Sequence, residues 1–240
     1  MLSIRLAVLI ALSAVATACG DGTNPFAAFG TRCAKLPPTH FEVVTVPLTF
    51  ERDDSQSIAA LTAKRGSALA THRTFGLTTA VFGHNTDIQL NVVDDRRDSL
   101  ACGIPRVRIE LTMQAVTVYV ASELAVQPCP HDVTLSHEMK HVEVLREALE
   151  LAARDLTRDF PVAISVQLRS ATNPSELQQR FVVSVRDYLA QFMRDRQRML
   201  DESQAAVDSP EEYARVSTAC AQSRGSSSKL RFGRGPDFQI

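Results

Sequence analysis

The hydrophobic periodicity of the chain changes at Pro130. Before this residue, apolar and polar positions alternate in short runs, which is typical of strands. After it, apolar residues recur every three or four positions, which is typical of amphipathic helices. No internal repeat is visible, so this order predicts an α+β fold in which a β-rich N-terminal half is packed with a helical C-terminal half.

Four apolar segments in the first half predict strands. They are residues 40–50, 77–82, 88–93 and 106–120. Gly, His, Asn and Thr at residues 83–86 predict a hairpin turn between the second and third segments. The length of the fourth segment predicts two strands with a bend, and residues 55–70 predict a short helix.

The second half begins with a long predicted helix. Asp132 or Thr134 can cap its start, and its apolar stripe continues to about Thr157. Pro161 follows, and the β-branched residues after it predict a short strand at residues 162–168. This helix is therefore expected to end before Pro161.

Two further helices are predicted after residue 172. The segment Asn173-Pro174-Ser175 opens the longer one, and its apolar residues fall on one face. That face consists of Phe181, Val185, Leu189, Phe192 and Met199. Ser209 followed by Pro210 is a typical helix start, and it predicts a short third helix that ends near Cys220.

Length, composition and charge narrow the class of protein. The chain has 240 residues, of which 45% are hydrophobic, and this is enough for one domain with a substantial core. A formal net charge of −1 excludes nucleic acid and anionic membrane surfaces as expected partners. The predicted organisation is a signal peptide at 1–18, a tether at 19–38, a single α+β domain at 39–220 and a disordered tail at 221–240.

The N-terminus predicts export. Arg5 precedes thirteen mostly apolar residues at 6–18, a length that suits a signal peptide and is too short for a membrane span. Ala16 and Ala18 form a small-residue cleavage site before Cys19, and the same residues resemble the lipobox of bacterial lipoproteins. We therefore expect a periplasmic or cell-envelope protein with a lipid anchor at Cys19 as one outcome of processing.

The remaining cysteines are even in number, which predicts disulfides in an oxidising compartment. They are Cys33, Cys102, Cys129 and Cys220. Three pairings are open, and the favoured one joins Cys102 to Cys129 and Cys33 to Cys220. A zinc site made of four cysteines is disfavoured because no two of them are closely spaced.

The strongest chemical signal is the sequence SHEMKHVE at residues 136–143. His137 and His141 lie four residues apart, so one face of a helix presents both imidazoles to a single cation. Glu138 is placed beside such a metal, where a carboxylate can take a proton from metal-bound water. Lys140 is a cation that would weaken metal binding, and the alternative interpretation is a solvated, histidine-rich helix face.

This motif is the His-Glu-x-x-His pattern of the zincin metalloproteases, and residues 40–220 resemble a group of small secreted bacterial proteins predicted to be zinc-dependent proteases. The resemblance implies Zn2+ as cofactor and a third ligand near the end of the second long helix, where Asp201 is the first choice. Helix periodicity instead favours Asp195 or Glu202, so three acids remain candidates. His131 would need a chain reversal to reach the metal. In the resembled group a His-Gly pair lies just beyond the second helix, and this chain lacks that pair at the corresponding place.

The leading hypothesis is an exported zinc-dependent metallopeptidase whose substrate is a peptide or a protein. A zinc-activated water would attack the peptide bond, with Glu138 as the general base. By resemblance to zincins, Tyr188 and Tyr213 are candidates to steady the oxyanion. Residues 116–120 are the candidate strand to pair with the extended substrate, and the alternative is that this strand is internal. The alternatives are an inactive protein of the same shape and a disulfide-stapled envelope lipoprotein that acts as a binding or structural module.

Overall fold

Two long antiparallel strands joined by a tight turn organise the fold, β3 at Gly76–Asp95 and β4 at Leu100–Val120. The computed structural model describes residues 25–66, 73–165 and 170–221. Within these ranges the remaining elements surround this pair. They are α1 (Pro25–Cys33), β1 (His40–Thr45), β2 (Glu51–Asp53), α2 (Ile58–Arg65), α3 (Pro128–Ser165), β5 (Ser170–Ala171), α4 (Pro174–Val207) and α5 (Pro210–Ala219).

The predicted hairpin turn at residues 83–86 is wrong, because these residues continue β3 and pair with residues 109–112 of β4. The true connection between the strands follows Asp95, where Ser99 takes a positive φ of 51°. A bulge between Thr79 and Val81 lies opposite Ala115, whose φ of 50° marks the irregular position of β4. The predicted bend in this segment is therefore a bulge within one long strand.

β4 is the central strand of a mixed five-stranded sheet. β3 pairs along one side of it, while β1, β2 and β5 pair along the other side. β1 and β2 run parallel to β4. Among the described residues no strand pairs with the outer side of β3, so β3 is an edge strand along its full length.

Helix α3 is longer than its predicted extent. It continues through Pro161 to Ser165, so the first part of the strand predicted at 162–168 is helical, and residues 166–169 lie outside the described residues. Phe160 and Ile164 flank the proline and are almost fully buried. Proline cannot donate a backbone hydrogen bond, which weakens the last turns of the helix. The burial of these two side chains offsets that loss.

Helices α3 and α4 run antiparallel across the sheet and enclose the main core. Arg196 of α4 pairs with Asp155 of α3 at 2.6 Å, whereas Gln204 contacts His141, so residue numbers rise along one helix as they fall along the other. The predicted stripe of α4 is buried apart from Met199, which is 41% exposed. Its neighbour Leu200 faces the core in its place. The α+β prediction is confirmed.

Two disulfides pin the ends of the fold, and the predicted pairing was wrong. Cys33 joins Cys102 and Cys129 joins Cys220, with Cα–Cα distances of 6.1 and 5.8 Å. The reason is the length of β4: the eighteen residue-to-residue steps from Cys102 to Val120 span about 60 Å at 3.3 Å per step. Cys102 and Cys129 are near in sequence but lie at opposite ends of the sheet.

The disulfides suggest an oxidising, extracytoplasmic location. The predicted signal peptide, the Cys19 anchor and nearly all of the predicted tail lie outside the described residues, and the predicted domain limits stay a prediction. The predicted tether contains helix α1, which Cys33 attaches to β4. None of the helices in the described part of the chain has the length and apolar character that crossing a membrane would require.

Candidate metal centre

The two imidazoles of the His-Glu-x-x-His motif face each other on the third and fourth turns of α3. The Nε2 atoms of His137 and His141 are 3.2 Å apart, and the ring centroids are 5.0 Å apart. His137 is completely buried, and the side chain of His141 is 11% exposed. The predicted spacing therefore places both nitrogens at one point, and the interpretation as a solvated helix face is wrong.

Asp208 brings a carboxylate oxygen to the same point. Its Oδ1 lies 3.1 Å from Nε2 of His137 and 3.2 Å from Nε2 of His141. Asp208 is the residue at which α4 ends, immediately before the Ser209 cap of α5. Because α4 runs antiparallel to α3, its end lies beside the beginning of α3, where the two histidines are.

Each imidazole is held from behind by an acceptor on its Nδ1 atom. Glu212 Oε1 lies 3.2 Å from Nδ1 of His137, and Gln204 Oε1 contacts Nδ1 of His141. The amide of Gln204 is oriented by its second hydrogen bond, in which Nε2 donates to the carbonyl of His141 at 3.2 Å. These contacts place a proton on each Nδ1 and a lone pair on each Nε2.

The donor set fits a cation. Two Nε2 lone pairs and an Asp208 carboxylate oxygen converge, and three acceptors at 3.1–3.2 Å repel one another unless a positive charge lies between them. Tetrahedral zinc with ligand bonds of 2.0–2.1 Å separates its ligand atoms by about 3.3–3.4 Å. The observed separations are close to that value without any movement of the helices.

Charge around this cluster follows from the same contacts. Without a metal, a proton on Nε2 lets an imidazole donate to Asp208. Burial favours the neutral acid of Asp208, but these hydrogen bonds from His137 and His141 hold the pKa of Asp208 far below its usual range. Burial also favours the neutral form of His141, which lowers its pKa. Its hydrogen bond with Asp208 and the charge of Glu138 outweigh burial and raise the pKa of His141 above its ordinary value. In the absence of metal, protons therefore compete for the same lone pairs.

Lys140 does not place its charge at the centre. Its ammonium group pairs with Glu212 at 2.7 Å, and the side chain is 47% exposed. Arg215 pairs with the same carboxylate and is the main cause of the low pKa of Glu212, with Lys140 and His137 contributing. Glu212 thus stays ionised, screens Lys140 and orients His137 at the same time.

Glu138 lies next to the imidazoles and is only 2% exposed. The ligand atoms of His137, Glu138 and His141 lie within 4.8 Å of one another, so this buried group could hold a metal ion. Burial raises the pKa of Glu138, while the positive charge of His141 and a 2.7 Å hydrogen bond from Thr78 act in the opposite direction. The carboxylate is therefore fixed in orientation by a strand of the sheet.

Gly76 makes room for this carboxylate. A Cβ atom at Gly76 would lie 2.9 Å from Cδ of Glu138 and 2.7 Å from Cγ2 of Thr134, closer than packed carbons approach. Gly76 and Thr78 both belong to the start of β3 and both face α3. The start of the edge strand and the third turn of α3 thus form one site.

An open cleft of about 150 Å³ leads to the cluster. Its walls come from α2, β3, α3 and the end of α4. The lining residues are Arg65, Gly76, Leu77, Thr78, Glu138, His141, Gln204 and Asp208. Glu138 and two of the three converging groups therefore face space that a small molecule can enter.

The other residues considered from the sequence make different described contacts, and the predicted third ligand Asp201 stays a prediction. Among the described contacts of the two imidazoles, none involves Asp195, Asp201 or Glu202; Asp201 is exposed and accepts a hydrogen bond from Gln197 at 2.7 Å. His131 lies in a separate surface cluster with Arg52, at 2.7 Å.

The fold also shows where the two candidate tyrosines and the predicted substrate strand lie. Tyr188 packs against Phe160 in the core, whereas the ring of Tyr213 lies 6.3 Å from the ring of His137. Residues 117–119 of β4 pair with β3 on one side and β2 on the other, so the prediction that residues 116–120 bind a substrate strand is wrong. β3 is the strand with an open edge beside the site.

Sequence reasoning missed Asp208, Glu212 and Gln204. The available signal was the sequence Asp-Ser-Pro at residues 208–210, which ends one helix and starts another. An acid at such a junction sits at a sharp change of chain direction, where its side chain is free to point toward a neighbouring helix. Asp201 lies seven residues earlier on α4, about 10 Å along the helix axis.

Comparisons with protein families, with curated proteins and with solved structures find no match to this chain. The resemblance to zinc-dependent proteases therefore rests on the His-Glu-x-x-His motif alone, and no family is identified. What the structure establishes is a buried group on α3, made of His137, Glu138 and His141, that could bind a metal ion of unspecified identity.

Proposed function

We propose that the chain is a zinc-dependent peptidase in which His137, His141 and Asp208 hold the metal. The observation that carries this proposal is the convergence of two Nε2 atoms and one carboxylate oxygen within 3.1–3.2 Å. Two nitrogens and one oxygen form the ligand set typical of catalytic zinc, which keeps a further position open. The cleft beside His141 and Asp208 supplies that access.

When bound, zinc would supply a Lewis acid that acidifies water and polarises a carbonyl oxygen. Glu138 would accept a proton from the attacking water at its carboxylate and return it to the leaving nitrogen. Burial supports this role because it raises the pKa of Glu138 toward the working pH of a general base. Thr78 would keep one carboxylate oxygen in place throughout.

The positioning of the ligands also supports catalysis. Glu212 and Gln204 fix the rings of His137 and His141, as outer-shell acceptors do at known zinc sites. The disulfide from Cys129 to Cys220 ties α5, which carries Glu212, to the first turn of α3. The disulfide thus joins the helix that carries the two histidines to the helix that carries Glu212.

The ligand assignment is tested by zinc content and affinity in two matched variants. We expect about one zinc per wild-type chain, and we expect Asp208→Ala to weaken zinc binding by more than the 10- to 100-fold typical of outer-shell partners. Asp201→Ala removes the acid favoured by the sequence and should leave affinity unchanged. Equal losses in both variants, or a loss in Asp201→Ala alone, would reject Asp208 as the ligand.

Peptide hydrolysis is tested with Glu138→Gln. This variant should keep its zinc and lose hydrolysis of a fluorescein-labelled casein, because the amide cannot accept the proton. Hydrolysis that is equal in the two proteins, or absent from zinc-loaded wild-type protein, would reject the peptidase proposal and leave a metal-binding protein.

A further inference from the structure

Arg65 is the permanently charged cation among the described residues that line the cleft. It is the last residue of α2, and its Nη2 atom lies 3.5 Å from Oδ2 of Asp208. The side chain is 30% exposed. A positive charge is therefore held within reach of any group that occupies the cleft beside Glu138.

The cleft follows the open edge of β3. Gly76, Leu77 and Thr78 all line it, although consecutive side chains of a strand point to opposite faces. Because no described strand pairs with the outer side of β3, a cleft that reaches all three residues borders its open backbone edge. Such an edge binds an extended peptide through main-chain hydrogen bonds.

Arg65 lies beyond the amino end of β3. Helix α2 contacts the chain two residues before β3 begins, because the backbone N–H of Thr74 donates to Oγ1 of Thr62 at 2.9 Å. A peptide that adds antiparallel to β3 directs its carboxyl end toward Arg65. A parallel peptide would direct its ammonium terminus there, where the two positive charges repel.

We propose that Arg65 binds a carboxylate on the leaving-group side of the substrate, so that the cleft selects peptides with a free α-carboxylate or an acidic residue close after the cleaved bond. This inference rests on the proposed function. With a divalent cation bound, the carboxylates of Glu138 and Asp208 balance its charge and Arg65 leaves the cleft net positive. The volume of about 150 Å³ is below the roughly 300–1,000 Å³ of ordinary ligand pockets, which suits a short end of a chain.

The proposal is tested by binding to zinc-loaded Glu138→Gln protein, which should not consume its ligand. The probes are an N-dansylated tri-alanine with a free carboxylate, its carboxamide, and an N-dansylated tetrapeptide amide with an internal aspartate. Fluorescence anisotropy should show the free acid binding about 10- to 100-fold more tightly than its amide, the range expected for a charge-assisted contact. Adding Arg65→Met should abolish this preference, and adding Arg65→Lys should retain part of it.

Lys64→Met is the matched control, because the neighbouring ammonium bonds the hydroxyl of Tyr119 at 3.0 Å and does not line the cleft. It should leave the preference intact. Tight binding of the aspartate peptide amide supports carboxylate recognition with a side chain as its source. No binding, equal binding of acid and amide, or an equal loss for both probes in Arg65→Met overturns the inference. One zinc per chain with active hydrolysis and no acid preference refutes this inference while leaving the proposed function standing.

Discussion

The packing of Gly76 against Glu138 makes a quantitative prediction for Gly76→Ala. The added Cβ would lie 2.9 Å from Cδ of Glu138, whereas carbon atoms pack at about 3.5 Å or more. The carboxylate must therefore move back by about 0.6 Å or more, or the strand must shift away from α3. Overpacking of this kind costs about 1–3 kcal/mol of unfolding free energy.

Activity should fall further than stability. A displacement on the order of 1 Å at a catalytic group costs about 100-fold, so we expect kcat/KM of Gly76→Ala to fall by about 10- to 100-fold. Zinc content should stay at wild-type level, because Gly76 contacts none of the three proposed ligands among its nearest neighbours. The assays are urea unfolding, metal analysis and casein hydrolysis on the same preparations.

Gly103→Ala is the matched control. Its Cβ would lie 2.8 Å from Cδ2 of Leu177, at the opposite end of the sheet. It should lose comparable stability and keep wild-type kcat/KM. We also expect a coupling with Glu138→Ala, which removes the obstructing carboxylate and should recover about 0.5–3 kcal/mol of the Gly76→Ala penalty. An equal penalty in both backgrounds, or full activity in Gly76→Ala, would show that this contact does not position Glu138.

Two further predictions concern the support of the metal ligands. Glu212→Gln should lower zinc affinity by about 10- to 100-fold in a competition titration with a chromophoric chelator, and unchanged affinity would argue against its orienting role. Replacing either disulfide by serines should cost up to about 4–5 kcal/mol in chain entropy, since the separations of 69 and 91 residues are similar. Only the Cys129→Ser/Cys220→Ser variant should also lose zinc affinity, whereas the same loss in Cys33→Ser/Cys102→Ser would contradict the proposed link between α5 and the centre.

The local features of the helices could be predicted from the sequence. The spacing of His137 and His141 determines that they share a face, and the apolar stripe after Asn173 marks the buried side of α4. These are properties of one helix and need no knowledge of its neighbours. The α+β class followed from the change of periodicity for the same reason.

Long-range relations could not be predicted in this way. The turn-forming residues at 83–86 remain in a strand because residues 109–112 of β4 pair with them. Those partners are remote in sequence, so the local pattern gives no sign of them. Cys102 and Cys129 were expected to pair because that bond would pin the strand region next to the helix of the motif, but the length of β4 separates them. Asp208 becomes a ligand candidate only through the antiparallel alignment of α3 with α4, which depends on the lengths of both helices.

The division of the proposed ligands along the chain has a consequence for biosynthesis. Two of them precede residue 142, but the third is residue 208, and the cysteine that secures the final helix is residue 220. A nascent or truncated polypeptide that stops before Asp208 lacks the third donor. We therefore expect the proposed centre to form late, after the chain has reached Asp208, with the Cys129–Cys220 disulfide then securing α5 beside it.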